Sequence, residues 1–255
     1  MEPSIVNLDT NVLVLSLVSG IVAGIVKGVV GFAMPMILMS SLAMLFPIHT
    51  ALAALILPTV ITNYQQAHEQ GFSNSVNSLK KHKLFLSVMA LFILASAKFT
   101  PYIPQQSLMG ILGILVLSFS LFHISGVRFG ISHDSTRSKI AFATLAGFAG
   151  GTCGAFGPPT VAYLTALKTE KNEQMQVQAI IYGFGAILMF IGHILSGIFN
   201  LSTAPLSALL ILPCIFGFWI GAKVRHGLNQ DLFRIATLIV LLFVGANLIR
   251  WAWLA

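Results

Sequence analysis

Apolar runs separated by short polar stretches recur along almost the whole chain, and their lengths follow one plan twice. In the first half, short apolar pieces at 11–26 and 32–46 flank the string KGVVG, and longer runs follow at 50–66, 84–100 and 107–127. In the second half, short pieces at 140–150 and 157–167 precede runs at 175–199, 203–222 and 232–255. A helix needs ~20 mostly apolar residues to cross ~30 Å of hydrocarbon, so the longer runs predict membrane-spanning helices. The 36 residues from Asn11 to Phe46 are too few for two full crossings and a turn. They predict a hairpin of broken or half-helices, and the second half predicts another at 140–167. Non-helical backbone at membrane depth is tolerated only where protein or a watery cavity surrounds it, so the Gly-rich breaks should line something.

Self-comparison supports two homologous halves, 1–129 and 139–255, joined by a linker at 130–138. At an offset of 126, Gly24 pairs with Gly150, Gly28 with Gly154, Gly31 with Gly157 and Gly71 with Gly197. The expected fold class is an all-α polytopic membrane protein of two inverted repeats, each a re-entrant hairpin followed by three transmembrane helices.

Composition removes the competing classes. Of 255 residues, 56% are hydrophobic and 8% charged, against roughly 25% charged in soluble domains. The formal charge of +7 would suit nucleic acid if the basic residues formed a patch, but they sit in the loops. Lys80, Lys81, Lys83, Arg128, Arg137, Lys139, Lys168, Lys171, Lys223, Arg225 and Arg234 fall on alternate connections, the pattern of cytoplasmic retention. Lys98 and Arg250 are left for the other side. This alternation requires each hairpin to start and end on one side, which inverts the second half and places both termini outside. The N-terminus lacks the basic start of a signal peptide and is expected to be retained. Cys153 and Cys214 have no metal or disulfide spacing and read as small packing residues.

Lys27 stands out, because a cation within an apolar segment costs ~3 kcal/mol or more at a helix centre unless paired or hydrated. No carboxylate lies near it in sequence. Either it snorkels to the interface or an anionic substrate compensates it, with backbone amides beside Gly28 and Gly31 exposed at a half-helix N-terminus. The paired break offers Gly154 and Gly157, then Pro158 and Pro159 where a helix restarts. Thr160 and Tyr163 bring hydroxyls to that break, suited to oxyanion oxygens. Polar groups also cluster at 59–68 and 174–182; of these, Asn63 and Gln178 are the candidate amide ligands, though interhelical hydrogen bonds use the same residues. His193, inside an apolar run, either carries a coupling proton or bonds across helices.

Enzyme signatures are missing. There is no HExxH, GxSxG or phosphate-cradling loop, and none of the seven acidic residues falls within a predicted membrane core. Neither catalysis, a cofactor nor a metal centre is expected.

The string K-G-x-x-G-F-A-x-P at 27–35 and G-x-x-G-P-P-x-x-x-Y at 154–163 resemble the paired motifs of the TauE/SafE family, and the likeness extends over nearly the whole chain. The resemblance implies a multipass permease of a bacterial cytoplasmic membrane that exports sulfite, sulfoacetate or related small anions. Two departures stand out. Ala33 occupies a position where family members often carry a further glycine, and Ala155, Phe156 and Gly157 replace a triple-glycine cluster. Bulk at Phe156 is expected to narrow the cavity. The expected partners are thus a small anion, the lipid bilayer and, if transport is coupled, a proton or a sodium ion held by backbone carbonyls at a break. A channel or a permease for a non-sulfur carboxylate would use similar parts.

Overall fold

A computed structural model of the protein describes residues 9–69, 81–125, 135–167, 169, 171–225, 227 and 229–254. Among these residues there is no strand, and the helices are α1 (Thr10–Val30), α2 (Met34–Leu42), α3 (Ile48–Glu69), α4 (Lys83–Phe99), α5 (Gln105–Ile124), α6 (Thr136–Cys153), α7 (Gly157–Ala166), α8 (Lys171–Leu195), α9 (Ala204–Leu209), α10 (Ile211–Val224) and α11 (Gln230–Leu254). By length and composition α1, α4 with its following turn, α5, α8 and the α9–α10 pair can each cross a membrane. The stretch read as one helix at 203–222 is split at Leu210. Gly71, Lys80, Arg128, Lys168 and the linker up to residue 134 lie outside the described residues.

The hairpins differ from expectation in one respect. α1 is no half-helix: it runs straight through Lys27 and Gly28 and stops only at Gly31, whose φ of 81° is left-handed. Its 21 residues span about 31 Å at 1.5 Å per residue. It persists through the glycines because α10 packs directly on its backbone; a Cβ at Gly28 would lie 2.3 Å from the Phe218 carbonyl oxygen. α6 likewise continues to a left-handed Gly154, φ 69°. The half-length members are α2 and α7, of 9 and 10 residues, about 13 to 15 Å long.

α3 and α8 form the central pair. α3 carries Thr59, Thr62, Asn63 and Gln66, which lipid would not tolerate, and all four are buried in protein. Pro58 sits inside α3, and the neighbouring Leu57 N–H donates to Ser207 Oγ of α9 at 3.1 Å. An exposed ion pair, Lys81 to Glu173 at 2.8 Å, places the approach to α4 and the first turn of α8 at one end of the bundle.

Contacts made in one half recur in the other. α1 packs along α10 as α6 packs along α4, while α3 meets α8 and α5 meets α11. The match reaches single atoms. A Cβ at Gly24 would lie 2.4 Å from the Cys214 carbonyl oxygen, and one at Gly147 2.6 Å from that of Met89. Gly31 and Gly154 cap α1 and α6 in the same conformation, 123 residues apart. Correspondence therefore runs at 123 through the hairpins, not at the 126 of the glycine comparison. Gly157, paired there with Gly31, is instead the first residue of α7.

Candidate functional site

The site is built where the two half-helices begin. Gly31 and Gly154 turn the chain, and Pro35 and Pro158 stand in the first turns of α2 and α7, where a missing N–H costs nothing. The first amides of each helix lack intrahelical acceptors, and the positive ends of both dipoles face a common cavity. That cavity is lined by Phe32, Ala33 and Met36 of one break, by Gly154, Ala155, Phe156 and Gly157 of the other, and by Lys27, Asn63 and Tyr182. Its volume is about 10 Å³, room for one water at most.

Lys27 is 1% exposed, which excludes snorkelling. Its Nζ donates to Thr62 Oγ1 at 2.9 Å and to Asn63 Oδ1. Asn63 in turn donates through Nδ2 to the Tyr182 carbonyl at 3.1 Å, and Thr62 donates to the Pro58 carbonyl at 2.7 Å. Among the described residues the lysine forms no ion pair. Lys27, in the last turn of α1, thus rests its nitrogen on neutral oxygens at the cavity that the first turns of α2 and α7 also line.

The structure brings Lys27, Asn63, Gly154 and Gly157 together at this cavity, with Gly31 one residue from its edge. Other expectations need correction. Gly28 offers no free amide, because it lies within the last turns of α1, the C-terminal and electronegative end, pressed against α10. The unpaired amides at the cavity belong to the first turns of α2 and α7 instead. Tyr163 points away, stacked on Phe85 at 4.8 Å and bordered by Phe142 and His82. Thr160 lies one turn behind the cavity lining and donates to the Phe156 carbonyl at 2.8 Å. Gln178 sits beside Gly31, outside the cavity lining. His193 is buried toward the far end of α8, its Nε2 without a hydrogen-bond partner.

Two further residues complete the site: Thr62, not singled out from the sequence, and Tyr182, which falls in the polar cluster at 174–182 without an assigned role there. Thr62 shares a helical face with Gln66, four residues on, and that i to i+4 spacing was the signal for it.

The two breaks are filled in opposite ways. Lys27 corresponds to Gly150, and Ala33 to Phe156. A Cβ at Gly150 would meet the Phe156 side chain at 3.1 Å, so the phenyl ring covers the place where a second lysine would start. Lys27 therefore has no counterpart in the second break, where Phe156 fills the space. Ala33 is the one non-glycine with positive φ among the described residues, at 74°. A left-handed alanine costs roughly 1 kcal/mol, so Ala33→Gly is expected to stabilise the protein by about that amount, read as a higher melting temperature in detergent.

The apolar helices define a multi-pass membrane protein. A model of the sulfite exporter TauE/SafE family matches residues 16–248, and the chain belongs to that family. No match is found among curated proteins or among solved structures.

Proposed function

We propose that the protein is a secondary transporter of small anions of the sulfite and sulfoacetate class, held between Lys27 and the N-termini of α2 and α7. The observation that carries this reading is Lys27 itself, buried at 1% exposure among neutral partners where two half-helices converge. An anion supplies the missing charge, and amides and a lysine satisfy oxyanion oxygens. Membership of an exporter family supports outward transport in a cytoplasmic membrane.

The recurring contacts support inverted repeats, with the linker and the Lys81–Glu173 end on the cytoplasmic side and both termini outside. Alternating access is favoured over a channel by the closed cavity, which as it stands admits no anion. α2 separates it from a larger crevice of about 580 Å³ that reaches Ala43, Pro47, Gln105 and Asn247 at the opposite end from Lys81 and Glu173. A shift of this short helix against α3 would open one toward the other.

Binding of sulfite, sulfoacetate, thiosulfate and acetate to purified protein tests the proposal, with counterflow in proteoliposomes separating carrier from channel. Selective binding of one class with counterflow is expected. Phe156→Ala should shift the preference toward the larger sulfoacetate by about tenfold, the worth of the volume removed. Absence of binding by every anion sinks the reading.

A further inference from the structure

The C-terminal end of α1 gathers oxygen atoms that internal hydrogen bonding does not use. The Gly31 N–H returns to the Lys27 carbonyl at 2.7 Å. The carbonyls of Gly28, Val29 and Val30 receive no backbone N–H from the segment that follows. Gln66 of α3 donates through Nε2 to the Gly31 carbonyl at 3.0 Å, yet its Oε1 is buried with no partner. Gln178 of α8 brings its own Oε1 to the same turn: a Cβ at Gly31 would lie 3.4 Å from Gln66 Nε2 and 3.6 Å from Gln178 Oε1. Gln66 is 1% exposed and Gln178 2%.

The second break shows that folding does not require these amides. Around Gly154 the same places are taken by Leu55 and Met189. Leu55 and Gln178 are 123 residues apart, as are Gln66 and Met189. One backbone turn is thus sealed by two apolar side chains and its counterpart by two amides. A buried amide oxygen left unpaired is costly where leucine or methionine is free of that cost, so the amides need a function beyond packing.

We infer that Gln66, Gln178 and the terminal carbonyls of α1 bind a monovalent metal cation that accompanies the anion. A helix C-terminus favours positive charge, and carbonyl and amide oxygens are the ligands discontinuous transporter helices offer to such ions. No carboxylate among the described residues joins these oxygens, which speaks against a divalent ion, since that draws on carboxylate charge. Lys27 belongs to the same end of α1, and its partner Asn63 lies one turn before Gln66. Two cations so placed repel each other, and an anion between them removes the repulsion. Cation and anion therefore bind together far better than either alone. This coupling rests on the anion site proposed above, whereas the cation site does not.

The test melts purified protein in choline, sodium and potassium gluconate at equal ionic strength, with and without sulfite, alongside direct binding of radioactive sodium. A saturable rise in melting temperature with sodium or potassium, enlarged by sulfite, is expected; the two salts show which ion is preferred. The double variant Gln66→Met and Gln178→Leu, which copies the second break, should lose the cation-dependent rise and retain sulfite binding in choline. Equal melting in all three salts overturns the proposal, as does a cation effect that survives in the double variant. Cation-independent, pH-dependent binding removed by His193→Gln assigns the coupling to a proton and overturns it too. Radioactive sodium bound through Gln66 and Gln178 without any sulfite binding upholds the cation site while the anion reading fails.

Discussion

Lys27→Met is expected to weaken anion binding at least roughly 30-fold, a loss of ~2 kcal/mol or more, and to leave the protein's stability close to that of the wild type. The two results have one cause. Lys27 is buried on neutral partners, and a cation so placed costs the fold ~3 kcal/mol. Methionine fills similar volume without charge. It strands the oxygens of Thr62 and Asn63 at ~1–3 kcal/mol each, a cost comparable to the one removed, so the melting temperature should stay close to that of the wild type. Calorimetric titration with the anion panel, beside a melting curve in detergent, reads both. Binding that survives in the variant would make the lysine a structural residue and remove the main support for an anion carrier.

Gly28→Val should do the reverse, leaving little folded protein. The new Cβ would lie 2.3 Å from the Phe218 carbonyl oxygen and 2.6 Å from the Ala222 amide nitrogen, both rigid backbone. Overpacking of this kind costs about 3 kcal/mol or more, because α1 must move away from α10. Size-exclusion yield and melting temperature are the measurements. Gly183→Ala is the control, since nothing lies within 4 Å of its added carbon, and it should behave as wild type. A well-folded Gly28→Val variant with weakened anion binding would return Gly28 to the ligand set.

The helical, membrane-embedded plan was legible because apolar runs of ~20 residues have few other fates. Lys27 was legible for the converse reason, as a charge where none is tolerated. The register was not. Gly147, Gly150, Gly151, Gly154 and Gly157 recur at helical spacing, so Gly24, Gly28 and Gly31 find partners at 126 as readily as at 123. Only backbone conformation separates the two, with Gly31 and Gly154 left-handed and Gly157 helical. The orientation of α7 was hidden as well. A short helix that mixes apolar residues with Thr160, Tyr163 and Thr165 carries no clear amphipathic signal to say which face meets the cavity. Tyr163 turns instead to Phe85 and Phe142. The length of α1 escaped because its glycines signal a break in sequence but serve as the contact surface for α10.

That Lys27 has no carboxylate partner among the described residues reaches beyond binding, to electrical work. On the carrier reading, an empty site with a protonated lysine takes one positive charge across the bilayer, and a monovalent anion cancels it. A full traverse of one charge is worth about 2.3 kcal/mol per 100 mV. Voltage then acts on the return of the empty carrier and leaves the anion-loaded step untouched, while a bound cation restores the charge to the loaded step. The charge count at one lysine thus decides which half of the cycle a cell's membrane potential drives.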